Sequence, residues 1–114
     1  MLDIQGSLDQ LAWNTQHHYA HIEAQHEFIR IWAVQFELGY SDMRMIQLAL
    51  QLDKQDALLA KFTAAYQAVY AYEYAFAADG LEGFNAKFGN DMPAYKTAAT
   101  NLLDVIDEIR ALKD

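Results

Sequence analysis

Residues 8–38, LDQLAWNTQHHYAHIEAQHEFIRIWAVQFEL, contain neither glycine nor proline, the two residues that most often interrupt regular structure. Projected at ~100° per residue, Leu8, Leu11, Thr15, His18, Ile22, Gln25, Ile29, Trp32 and Phe36 fall on one helix face. The face is a seven-residue repeat interrupted by the polar Thr15, His18 and Gln25. Ahead of it, Ser7-Leu8-Asp9-Gln10 has capping-box spacing, in which Ser7 caps the third amide and Gln10 reaches back. Behind it, Gly39 suits the left-handed conformation in which helices end. The stretch predicts one unbroken helix over about 8–38, ~45 Å long at 1.5 Å per residue.

Downstream, Ser41 is a plausible N-cap and Asp42 favours the positive helix end. Met43, Ile46, Ala49 and Leu50 supply an apolar face for a short second helix over about 42–52. Carried past Leu52, that phase would put Leu59, Phe62, Tyr66 and Val69 on the wrong side, so a break is expected at 53–56 with Asp53 as a new cap. A third helix is expected over about 54–78, its core face made of Leu58, Leu59, Phe62, Tyr66, Val69, Glu73 and Phe76, stopping at Asp79-Gly80. Residues 81–90 read as a loop or short helix whose Phe84 and Phe88 plug the end of a bundle. Pro93 in a first turn starts a last helix over about 92–112. Its stripe is Tyr95, Ala98, Ala99, Leu102, Ile106 and Ile109, and its outer face carries Lys96, Asn101, Asp104, Glu108 and Lys113. The expected fold is therefore all-α: one compact bundle spanning 1–114, with three long helices and a short helix 2, like a four-helix bundle.

Composition agrees. Of 114 residues, 54% are apolar, enough for a core, and five glycines with one proline are too few for a turn-rich β fold. With no cysteine, disulfides and thiolate sites are excluded. Sixteen acids against eight bases give a formal charge of −8, spread over both halves of the chain. Such a field repels phosphate backbones and anionic membrane surfaces, and there is no basic stripe to oppose it. Direct nucleic-acid binding and membrane docking are not expected; a basic protein partner is compatible. The first residues lack a signal-peptide pattern, and no apolar run approaches the ~20 residues of a membrane span. The expected setting is cytoplasmic.

Several constellations could carry chemistry. His17, His18, His21 and His26 lie within ten residues, with Glu23 and Glu27 among them. His18, His21, Glu23 and His26 form the candidate metal set, because Glu-x-x-His is a spacing used by di-metal helical bundles. Here it occurs once, so a complete site would need a second copy across a symmetry axis. His18 and Glu73 interrupt apolar stripes and are the candidate buried polar residues, since burying either alone costs several kcal/mol or shifts its pKa. They could meet each other, but Thr15, Gln25, tyrosine hydroxyls or water are easier partners. Together they suggest a small internal cavity open to a ligand.

Trp13, Ile31, Val34 and Leu38 form a second apolar stripe on the first helix, away from its main face. With Tyr72 and Tyr74 of the aromatic segment 66–76, they are the candidate interface residues. Either the first helix is sandwiched inside the bundle, or that stripe belongs to a homodimer. An alanine row, Ala64, Ala68, Ala71 and Ala75, would let another helix approach closely. No phosphate loop, nucleophile elbow or cysteine nucleophile occurs. Nothing supports an enzyme, and no cofactor is expected. The sequence points to a non-enzymatic interaction protein of inhibitor, immunity or adaptor type. The alternatives are a metal- or small-ligand-binding bundle and a self-associating subunit of a larger assembly.

Overall fold

The computed structural model describes residues 1–112; the outer-face position Lys113 lies outside them. The chain is helical nearly throughout: α1 (Gln5–Glu23), α2 (Arg30–Leu52), α3 (Asp56–Phe88) and α4 (Met92–Arg110), with a single 3-10 turn at Gly89–Asp91. Each helix packs on the next, α4 closes back on α1, and α1 barely touches α3.

The expected single helix over 8–38 is two helices, and the expected boundary at Gly39–Ser41 is the middle of one. α1 ends in a motif that satisfies its last carbonyls. Gln25 takes the left-handed conformation (φ 61°), its N–H donates to the Ile22 carbonyl, and the His26 N–H donates to that of His21. Residues 25–29 then turn the chain, and α2 runs back along α1. Gly39 is buried inside α2, where an added Cβ would stand 3.7 Å from Asn14 Nδ2 and 3.8 Å from Leu11 Cδ1. The glycine sits inside a helix where α2 faces α1, with room for a methyl group, and is not a helix end. Instead of three long helices and a short second one, α2 spans 23 residues while α1 and α4 span 19 each.

The expected serine caps are displaced too. α1 starts before Ser7, and its first amide, that of Gln5, donates to Asp3 Oδ1. Ser41 lies within α2. Asp53 is the C-cap of α2, where Lys54 (φ 60°) repeats the left-handed motif with Gln55 bonded to the Leu50 carbonyl. α3 is bent at Gly80, whose φ of 72° and ψ of −175° are open in practice only to glycine. The following turns carry Phe84 into the core and half-bury Phe88.

The core follows the helical periods. α1 contributes Leu8, Leu11 and Ile22; α3 contributes Phe62, Val69 and Phe76; α4 contributes Tyr95, Leu102 and Ile106. Burying each such side chain contributes about 1.5–3 kcal/mol. At one end an aromatic cluster joins α3 to α4: Tyr72 stacks on Tyr95 at 4.6 Å, and Phe84 packs against Phe76, Phe88 and Tyr95. Polar ties are few and superficial. Arg110 bridges Asp9 of α1 and Asp107, and Lys61 of α3 meets Glu108 of α4. Exposed pairs of this kind contribute at most about 1 kcal/mol each.

Candidate functional site

The histidine segment is divided by the turn. His18 lies in the core, 1% exposed, with its ring edge-on to Phe36 at 4.4 Å and facing Trp32. Neither ring nitrogen has a hydrogen-bond partner in the protein. Burial, reinforced by His17 and His21, pushes its pKa down to about 3, so the ring is neutral at physiological pH. His21, half-buried, packs on the same Trp32 and is hydrogen-bonded through Nδ1 to Nδ1 of His26 at 2.8 Å. Glu23 accepts a hydrogen bond from the Tyr19 hydroxyl at 2.8 Å. The four residues of the candidate metal set thus engage three different environments. Among the described residues, no group of three or more histidines and carboxylates is placed to hold a metal ion.

His18 and Glu73 are both buried, but they make no direct contact, and none of Thr15, Gln25 or a tyrosine hydroxyl partners His18, both of whose ring nitrogens are unpartnered. Glu73 is 7% exposed and floors a cleft of about 220 Å³ between α2 and α3, walled by Phe36, Tyr70 and Tyr74. Burial raises its carboxyl to about 8, leaving it largely protonated at neutral pH. The cleft continues past Tyr40 toward Arg44, Gln47 and Thr63, and a Gln47–Thr63 hydrogen bond of 2.9 Å closes it beneath. Of the four buried polar residues, Asn14, Thr15, His18 and Glu73, the two titratable ones are thus separate and neutral and form no ion pair.

The interface candidates divide differently. Tyr72 is half-buried against Phe84, Phe88 and Tyr95, so it serves the α3–α4 junction and not the outer surface. Tyr74 is exposed and lines the α2–α3 cleft beside Tyr70. Trp13 is half-exposed and stacks on His17 at 4.4 Å, at one end of a row Trp13–His17–His21 along the edge of α1. Contact of His21 with Trp32, and of Leu11 and Asn14 with Gly39, sets that row beside α2.

Ile31, Val34 and Leu38 are exposed, and they are half of a longer feature. Because α2 continues through Gly39, the same stripe runs on through Met45, Leu48 and Leu52. With Ser41 between Leu38 and Met45, the positions alternate in steps of three and four along the whole helix, and the six apolar side chains are 43–63% exposed. Met45, Leu48 and Leu52 were missed in the sequence because a helix boundary was placed at Gly39. The unbroken three-four spacing was the signal that could have found them.

No protein family, curated protein or solved structure matches this chain.

Proposed function

We propose that the chain is a small acidic, non-enzymatic protein that works by protein–protein interaction, presenting the outer face of α2 from a four-helix-bundle-like scaffold. One observation carries this reading: the row of six exposed apolar side chains from Ile31 to Leu52, one helix long and without cover from the protein's own elements. Scattered exposed apolar residues need no explanation, but a contiguous row of them does. Trp13, half-exposed on α1, is a second exposed side chain of the kind that anchors interfaces. The formal charge of −8 favours a partner with a basic surface and opposes nucleic acid. No described helix is long and apolar enough to cross a membrane. A cytoplasmic setting, with a chain that uses no cysteine, belongs to the same reading.

The test is affinity capture from native-host extract with the full chain as bait, beside a Val34→Lys/Leu48→Lys variant. A partner retained only by the parent chain, rebinding it when both are pure and released as salt rises, supports the reading. Equal capture by both baits removes the α2 face from the function.

A further inference from the structure

The stripe on α2 has the geometry of a helix-packing seam, and its flanks state what fits it. Apolar residues spaced alternately three and four apart average 3.5 residues per repeat, the period at which two helices stay in contact while supercoiling. Ile31, Leu38, Met45 and Leu52 occupy one seam position, and Val34, Ser41 and Leu48 the other. The side of the seam facing α3 carries Arg30, Glu37, Arg44 and Gln51 in register with it. This local charge pattern is mixed, although the protein as a whole is strongly acidic.

We propose that the seam is filled by α2 of a second copy of this chain, running antiparallel. The proposal rests on the reading of α2 as a docking face and names a second copy, in place of a basic partner, as its occupant. Antiparallel pairing sets Ile31 against the partner's Leu48, Val34 against the partner's Met45, and Leu38 against the partner's Ser41, with each pairing repeated by the two-fold axis. In the same register Glu37 meets the partner's Arg44, and Arg30 meets the partner's Gln51, again twice each. Every flanking contact on that side is then opposite in charge or neutral. The parallel arrangement is worse, because it brings Glu37 against the partner's Asp42 in both halves, and like charges across a seam are repulsive. The apolar surface covered in the pair is on the order of 1,000 Å², the lower bound for a specific interface. Ser41, close to the axis, is the polar position that fixes register at some cost in stability.

Sedimentation equilibrium of the full chain tests the assembly. Twice the 13.0 kDa protomer mass is expected at micromolar concentration. Glu37→Arg alone weakens the dimer by about tenfold or more, and Glu37→Arg/Arg44→Glu restores it, because the exchanged charges again face opposites. Leu38→Lys gives a monomer with unchanged far-ultraviolet circular dichroism. Orientation is read with introduced cysteines, the chain having none. A mixture of Val34→Cys and Met45→Cys chains forms a mixed disulfide, whereas Val34→Cys alone does not, its two copies lying about 16 Å apart along the axis. Self-linking of Val34→Cys overturns the antiparallel arrangement. A monomer up to about 1 mM overturns the second copy as occupant. If the seam variants still lose a captured partner, the docking face itself survives that failure; if they lose nothing, both readings fall.

Discussion

His21 and His26 face each other across the turn that ends α1, their Nδ1 atoms 2.8 Å apart. One of these nitrogens must donate and the other accept, so the contact exists only while at least one ring is neutral. Burial, then the neighbouring His17 and His26, lowers the His21 pKa below the ordinary histidine value. With the folded pKa depressed, this contribution to stability is present above pH ~6.5 and is lost as pH falls below it. Acidification is therefore expected to open the turn at 24–29 before the rest of the chain. Amide hydrogen exchange at Gln25 and His26 measures it, and His26→Ala is expected to raise the His21 pKa in an NMR titration. Protection of these amides, corrected for the intrinsic pH dependence of exchange, that stays constant between pH 7.5 and 5 would contradict this account.

Two buried neutral groups shape the response of the whole molecule to pH. His18, depressed to about 3, contributes stability that is full above pH ~6.5 and declines as pH falls toward its folded value. Glu73, raised to about 8, does the opposite: its contribution is full below the ordinary carboxyl pKa and is lost as pH rises through 8. Between about pH 4.5 and 6.5 the two slopes oppose each other, giving a broad optimum with decline on either side. The alkaline limb is expected to approach about 1.4 kcal/mol per pH unit. Urea unfolding at a series of pH values measures it, and Glu73→Gln is expected to abolish the decline between pH 6.5 and 8.

Three glycines are expected to respond differently to alanine. At Gly39 the added methyl meets Asn14 and Leu11 at ordinary contact distance, so the gain in helix propensity is retained, up to about 1 kcal/mol. At Gly80 the backbone (φ 72°) is strained for any side chain, and at Gly83 a Cβ would lie 2.4 Å from Cβ of Asp79. Both substitutions are expected to destabilise by about 1–3 kcal/mol. Thermal melts of the three variants in parallel read the order directly.

Lys54 holds a left-handed conformation at the end of α2, and no side-chain hydrogen bond holds it there among the described residues. Lys54→Gly removes that strain, which for an L-residue is about 1–2 kcal/mol, and gives back part of the gain as chain entropy. A net stabilisation of about 0.5–1 kcal/mol is expected. The same change at Gln25 is expected to gain less, because its side chain accepts a hydrogen bond from Asn85 Nδ2 at 2.7 Å and donates to the Ile22 carbonyl. Equilibrium denaturation of the two variants separates backbone strain from side-chain contacts.

Phe84 is fully buried where the bent end of α3 meets α4. Phe84→Ala is expected to cost about 3–5 kcal/mol, a loss large enough to unfold much of a marginal small domain. Calorimetry measures it.

Apolar spacing alone was enough to show that the chain is helical and where its inward faces lie. Period and phase of the apolar residues are local properties, which is why the stripe of α4, the inward Glu73 of α3 and the turn between Leu52 and Asp56 were legible. Packing between helices is what makes the chain reverse at Gln25 and pass straight through Gly39. Local propensity pointed the other way: glycine is a common helix terminator and glutamine is not. A straight helix over 8–38 would have outrun its neighbours, whereas the reversal lets Phe36 and Trp32 close over His18 and gives α1 and α4 equal length. The cost of a left-handed glutamine is small beside the apolar area that the reversal buries. That same decision lengthened three exposed residues of α2 into a seam of six, so the docking face became visible only once the helix carrying it had been defined by its packing.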